Sequence, residues 1–319
     1  MEIELVIQNG EQMFLPVVAE GIVWKTAYRG LPGELTFRVL KDSVIDFKEG
    51  NGVSLRVDGK EMFYGYVFTK KRDKERIIEV TAFDQLRYLK NKDTYLYTDK
   101  TASEFISMVA MDFQLKLGEI ADSGFKIASR VEENTTLMDM IQNALDLTYE
   151  NQKKRFILYD AFGKLTLQDT TSMELDLLID GESGENLSYI SSIDHQTYNK
   201  VKLVYSRGKK SKRDIFLAQN HGSMERWGVL QYYDTLTEGE NGKEKAEALL
   251  ALYNKRTRYL SLTKVFGHSD VRAGCTVMVL LNLGDLILQC PMFVEKCAHT
   301  FKESEHWMDL TLTGGEFIA

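Results

Sequence analysis

Hydrophobic and polar side chains alternate with a period of two through roughly the first eighty residues. In VSLRV, Val53, Leu55 and Val57 interleave with Ser54 and Arg56; in RIIEVTAF, Ile78, Val80 and Ala82 interleave with Glu79 and Thr81. That period puts one set of side chains on a buried face and predicts half-buried strands. Asp58-Gly59 stands between VSLRV and MFYGYVFTKK and predicts a tight hairpin, because both central residues of such a turn need positive φ. The chain then turns over Arg72-Asp73-Lys74-Glu75, so residues 50–91 open with a three-stranded meander. MEIELVIQ and GELTFRVLKD alternate as well, with Leu35, Phe37 and Val39 toward the core and Pro32-Gly33 as the preceding turn. About five or six short strands in so short a stretch fit a small barrel or sandwich.

At Asp84 the period changes. DQLRYLKNK reads as a short helical exit, and Thr101-Ala102-Ser103-Glu104 then opens a helix as a capping box, hydroxyl and carboxylate each satisfying the other's backbone N–H. Phe105, Ile106, Val109, Ala110 and Phe113 keep helical spacing, with Gly118 as the expected terminator. A second helix is expected from about Leu137, with Met138, Ile141, Leu145 and Tyr149 on one stripe and Asn134, Thr135 or Thr136 as cap. RFILYD-AFG-KLTLQD reads as a hairpin turning at Gly163. The polar, glycine-containing DGESGENLSY marks a boundary. Beyond it come TYNKVKLVYS, the basic RGKKSKRD, IFLAQN, the aromatic WGVLQYYDTL, and a third helix in GENGKEKAEALLALYNKRTR. Ala246, Leu249, Leu250 and Tyr253 form its apolar face, and Lys255, Arg256 and Arg258 are expected to close it. Four strand-like runs follow: LSLTKVF, CTVMVLL, MFVEKCAHTF and WMDLTLT.

The last part can be laid over the opening stretch. Gly50 to Leu55 matches Gly274 to Val279, Asp58-Gly59 matches Gly284-Asp285, and MFYGYVFTKK matches MFVEKCAHTF from Met62 and Met292. Charged tips come next, Arg72 to Arg76 and Lys302 to Glu305, and each copy closes with an alternating strand. Identity is low, so the repeat is one of pattern. A chain with two like β-modules can build a ring of six similar units from three copies.

YGYVFTKKRDK followed by VTAFDQLRYLKNKDTY resembles the XkdQ/YqbQ family, baseplate hub proteins of contractile phage tails and tail-like bacteriocins. TASEFI, DMIQNALDLT, YDAFGKLTL, SSIDHQTYNKVKL, WGVLQYYDTL, VRAGCTV, VEKCAHTFK and HWMDLTL extend the resemblance, in that family's order, over nearly the whole chain. It implies two tail-tube-like barrels per subunit and a pseudo-sixfold homotrimer between a hexameric tail tube and a trimeric spike. The partners it implies are tail tube protein, spike protein, LysM-type and other baseplate proteins, and the tape measure protein.

Composition narrows the chemistry. A formal net charge of -7 over 319 residues, with both signs interspersed, argues against a dedicated nucleic-acid binder. MEIELVIQNG has neither a basic region nor a long apolar run, so no signal peptide is expected there, and no run approaches the ~20 residues that span a bilayer. VMVLLNLGDLILQ, broken by Asn282, Gly284 and Asp285, reads as a strand pair. Cytoplasmic assembly is the expectation, followed by residence in the particle. Cys275, Cys290 and Cys297 form no disulfide or zinc pattern. Cys297, His299 and His306 could be imagined around a metal, but ordinary strand positions explain them better, with no ligand expected beside Cys297 and His299. Glu132-Glu133, Glu303 and Glu305 read as solvated turns, and the histidines at 195, 221, 268, 299 and 306 are scattered. No G-x-S-x-G, H-E-x-x-H or phosphate-cradling glycine loop is present.

The expectation is therefore an α+β, mainly β protein without catalytic activity or cofactor. A first β-barrel module spans 1–90, a small α+β domain 91–186, and a second β-barrel module 187–319, with a helical insertion at about 206–258. Candidate interface residues are the aromatic Tyr64, Tyr66, Trp227, Tyr232 and Tyr233, and the basic tips Lys70, Lys71, Arg72, Lys209 and Lys210. Two other classes stay open. A cell-wall hydrolase of the same particle requires a convergent carboxylate pair or Cys/His cleft, and a monomeric glycan- or receptor-binding tip module binds without assembly partners.

Overall fold

The computed structural model describes all residues except 20, 43, 73, 75, 195, 207–212, 237–240, 285 and 315–319. The chain forms two compact units, Met1–Ser188 with Leu260–Ala319, and Tyr189–Tyr259.

The first unit opens with β1 (Ile3–Asn9), β2 (Gln12–Phe14), β3 (Ile22–Ala27), β4 (Glu34–Leu40), β5 (Gly52–Val57), β6 (Lys60–Arg72) and β7 (Ile77–Phe83). The alternation seen in the sequence becomes alternation of burial. Leu35, Phe37, Val39, Val53, Leu55, Ile78, Val80 and Ala82 are buried in one cluster, each such side chain contributing about 1.5–3 kcal/mol or, for alanine, less. Asp58 and Gly59 both take positive φ, 50° and 77°, as the hairpin requires.

A 3-10 turn, Gln85–Lys90, leads to β8 (Lys92–Thr101), α1 (Ala102–Asp112), β9 (Leu117–Ile120), β10 (Lys126–Thr136), α2 (Leu137–Gln152), β11 (Phe156–Asp160), β12 (Leu165–Asp169) and β13 (Glu174–Asp180). The capping box at Thr101 and Glu104 is formed in both directions, and Thr136 caps α2. Gly118 does not end α1. The chain already turns at Phe113, where Gln114 takes φ 53° and the Leu115 N–H reaches back to the Ala110 carbonyl, a C-cap that glycine usually serves. Gly118 lies instead in β9. β8 and β10 form an antiparallel ribbon that the sequence pattern did not predict. Their outer faces are largely exposed, so the hydrophobic alternation is weak.

β14 (Asn186–Ser192) leads into the second unit, which contains β15 (Lys200–Ser206), β16 (Arg213–Gln219), α3 (His221–Trp227), β17 (Gln231–Thr235) and α4 (Gly242–Tyr253). Its sheet runs β16-β15-β17, with Ala246 and Leu249 of α4 clustered with Val201 and Leu203. α4 stops at Tyr253, so Lys255, Arg256 and Arg258 follow the helix rather than close it. The Asn254 N–H takes the last helical bond, and Lys255 already turns back onto Tyr253.

β18 (Thr257–Phe266), β19 (Thr276–Asn282), β20 (Ile287–Lys302) and β21 (Glu305–Thr313) complete the chain. The large sheet runs β14-β18-β21-β20-β3-β4-β7-β6-β5-β1-β2, with β19 on β20 and β13 on β19. Instead of two separate closed barrels, the single chain has one open sheet whose halves are stitched together at β3 and β20.

The two halves repeat strand for strand. β1-β5-β6-β7-β4-β3 on one side corresponds to β13-β19-β20-β21-β18-β14 on the other, in the same chain order. The Gly50 N–H bonds to the Val67 carbonyl while the Val67 N–H bonds to that of Asn51; Gly274, Val294 and Cys275 do the same. Both Gly50 and Gly274 take positive φ. A bulge falls at the same place in each copy, between Val67 and Thr69 and between Val294 and Lys296. This geometry sets Val67 against Val294, and so corrects the alignment of Met62 with Met292 by three residues. The hairpins leading into β6 and β20 differ in length, which a one-dimensional overlay of the two methionines conceals. The copies also differ at one edge, where β1 pairs β5 antiparallel and β13 pairs β19 parallel.

Candidate assembly interface

The joint between the two halves is a six-residue antiparallel ladder, β20 Lys296–Phe301 against β3 Ala27–Ile22. Backbone pairing there is backed by a ring stack. Trp24 lies on His299 with centroids 5.0 Å apart and planes at 19°, and the His299 and Phe301 rings are nearly parallel. His299 Nε2 is 2.8 Å from the Val271 carbonyl, which can only accept, so Nε2 carries the proton and Nδ1 accepts from His306 Nε2, 2.9 Å away. Burial, and then the neighbouring imidazole, holds His299 down to about 3, and burial holds His306 down to about 4. Both rings are thus neutral partners in a packed joint. Gly267 leaves room for the His306 ring, which a Cβ there would meet at 2.0 Å.

His306 does come beside His299, contrary to the isolated pair expected, because β20–β21 pairing puts Phe301 opposite His306. Cys297 Sγ is 3.2 Å from His299 Nε2. Both His299 nitrogens are already engaged, and no group of three His, Cys, Asp or Glu side chains that could hold a metal occurs among the described residues.

A polar junction lies beside this joint. Asp84 accepts from the backbone N–H groups of Gly33, 2.8 Å, and Leu86, 3.0 Å. Asp160 accepts from the Gly163 N–H, and Arg272 donates to the Asp160 carbonyl at 3.4 Å. The Arg272 guanidinium stands 3.8 Å from the centre of the Tyr159 ring. Burial, and then the charge of Asp160, pushes the Asp84 carboxyl well above its usual range; burial raises Asp160 too, and Arg272 draws both down. Asp160 Oδ2 and Arg272 Nε are sealed from solvent without a hydrogen-bond partner. The three residues are far apart in sequence and of common type, so nothing in the pattern of the chain could have grouped them. The joint was equally hidden, since β3 has no sequence mark of pairing with a strand some 270 residues away.

The residues singled out from the sequence fall in several places. Tyr64 and Tyr66 pack edge to face, 5.8 Å apart, and are half covered from within the chain, Tyr64 by Phe162 and Tyr66 by Tyr88. Lys70 is tied to the Phe47 carbonyl and lies over the Phe47 ring. Lys71 pairs loosely with Glu79 at 3.8 Å, and Arg72 ends β6 exposed. In the second unit Tyr232 joins Tyr198 and Tyr253 in a cluster, Tyr233 is exposed, and Trp227 sits at the end of α3 between Arg226 and Arg256. Lys209 and Lys210 lie outside the described residues.

The fold is that of phage tail proteins. The 43 kDa tail protein of prophage MuSo2 from Shewanella oneidensis superposes with a TM-score of 0.72 at 12% identity, covering 97% of this chain and 98% of that one. The sequence matches the YQBQ-like family over residues 22–313, and the chain belongs to that family. Two Bacillus subtilis (strain 168) proteins are similar to it: YqbQ, described as uncharacterized, at 30% identity over 94% of this chain and 93% of that protein, and the phage-like element PBSX protein XkdQ, at 29% over 93% of each.

Proposed function

We propose that this protein is the structural hub of a contractile phage tail or tail-like bacteriocin baseplate. Three copies form a pseudo-sixfold ring that joins a hexameric tail tube to a trimeric spike, anchors LysM-type and other baseplate components, and leaves a passage for the tape measure protein. The observation that carries this reading is the strand-for-strand repeat, down to a shared bulge and shared glycine turns. Six like modules from three chains match a sixfold object to a threefold one. The modules would correspond to about the residues expected from the sequence, 1–90 and 187–319 with 91–186 as the α+β domain between them, the second extended back to take in β13 (Glu174–Asp180), the counterpart of β1. The hub is built in the cytoplasm and then resides in the particle.

The role is mechanical rather than catalytic. The carboxylates of the chain's interior, Asp84 and Asp160, are 5% and 6% exposed and accept from the backbone N–H groups of Gly33, Leu86 and Gly163, out of a substrate's reach.

Light scattering over a wide concentration range, alone and after co-expression with tube and spike proteins, tests the reading. A mass of three chains is expected. A chain that stays monomeric in the presence of both partners overturns it.

A further inference from the structure

The internal joint is a template for the joint between copies. On β20 the edge occupied by β19 as far as Phe293 is continued by β3 from Lys296 to Phe301. On β6 the corresponding edge is occupied by β5 as far as Tyr66, and no strand among the described residues continues it over Thr69–Arg72. Counting on from Val67 and Val294 sets Lys70 against Cys297, Lys71 against Ala298, Arg72 against His299 and Lys74 against Phe301. The counterpart of β3 in the second half is β14, the terminal strand of the sheet. It is exposed along most of its length, with Leu187 39% and Ile190 55% accessible. One half thus has a vacant strand edge, the other a terminal strand, and inside the chain the equivalents of these two are paired.

We infer that β14 of one copy pairs antiparallel with the distal half of β6, Thr69–Arg72, of the next, reproducing β3·β20 between chains. This rests on the ring reading above and specifies its seam. The contact is head to tail, so it closes only when the modules complete a circle, and it covers strand edges that would otherwise invite uncontrolled pairing.

Charge supports the same occupant. Where the internal joint has His299 and Phe301, the β6 end carries Lys70, Lys71, Arg72 and Lys74. The turn leading into β14 carries Asp180, Glu182 and Glu185. In the antiparallel register the basic tip arrives at that acidic turn, where Glu185 already holds Lys264 of its own chain. A basic edge facing an acidic turn favours a neighbouring copy over self-pairing of like edges, which would set β6 tips of the same charge together.

Arg72→Cys combined in turn with Asn186→Cys, Leu187→Cys and Ser188→Cys, under mild oxidation of the full chain, tests the seam. The control joins Arg72→Cys to Met111→Cys, at a position 79% exposed on α1 and on neither of the two strands. The three native cysteines are buried and do not compete. At least one seam pair is expected to give about ten-fold or more covalent oligomer than the control, in a ladder that stops at three chains, because pairing raises the local thiol concentration. No excess over the control overturns the seam. Light scattering on the same samples separates the failures: a trimer without cross-links removes this seam alone, and a monomer without cross-links, even with tube and spike proteins present, removes the ring as well.

Discussion

Replacing Arg272 with methionine should be among the most damaging single changes in the first unit. The change removes the nearby cation whose charge draws both Asp84 and Asp160 down and the guanidinium lying 3.8 Å from the Tyr159 ring, while roughly keeping volume. Removing one partner from a buried charge cluster costs about 3–5 kcal/mol, because the remaining charge stays buried without compensation. Arg272 acts on the two carboxyls by charge without a direct ion pair to either, its hydrogen bond going to the Asp160 backbone carbonyl, which puts the expected loss near the lower end, about 3 kcal/mol. Asp84 and Asp160 have folded-state pKa values raised above the unfolded value, so the folded chain binds more protons and acidification favours it. Without Arg272 both carboxyls rise further. The deficit of the variant should therefore be largest near neutral pH and shrink as pH falls toward the ordinary carboxylate range. Urea unfolding followed by far-UV circular dichroism, at several pH values from 7 down to about 4.5, reads both effects. Arg272→Met with Asp84→Asn should recover part of the loss, since the second change removes the stranded charge. A loss below about 1 kcal/mol at pH 7, or a deficit that grows on acidification, refutes the assignment of this junction as a charge cluster.

Two further outcomes follow from the same geometry. Gly65→Ala should destabilise the first unit by about 1–3 kcal/mol, because a Cβ there would sit 2.3 Å from the Phe83 carbonyl oxygen; Gly181→Ala, with nothing within 4 Å, is the control, and equal midpoints in denaturant would contradict the argument. His299 and His306, held down to about 3 and about 4, bind fewer protons folded than unfolded, so their contribution is complete above about pH 6.5 and is lost as pH falls through 6.5 toward those values. His306→Phe should flatten this acid limb relative to wild type in melting temperature against pH, and an unchanged or steeper limb would count against neutral packed imidazoles.

Much of the local structure follows from residue order alone. The period-two burial of β4, β5 and β7, the Asp58-Gly59 turn, the Thr101/Glu104 box and the start of α2 are set by side-chain alternation and capping chemistry acting over a few neighbouring residues. The tail-protein character was legible through the family resemblance carried by YGYVFTKKRDK and the segments that follow it, and the repeat because glycine turns and strand alternation survive where identity does not. Other features depended on partners remote in the chain. The exposed ribbon of β8 and β10 buries too little on its outer faces to print an alternation. The end of α1 was set by a left-handed Gln114 where a glycine was expected. The three-residue correction between Met62 and Met292 needed ladder hydrogen bonds, since two hairpins of different length leave the same composition in different registers. Above all, β3·β20, the His299–His306 pair and the Asp84–Asp160–Arg272 junction join positions between 7 and 279 residues apart. Sequence pattern records which side of an element is buried, whereas only the closed packing of the sheet decides what it is buried against.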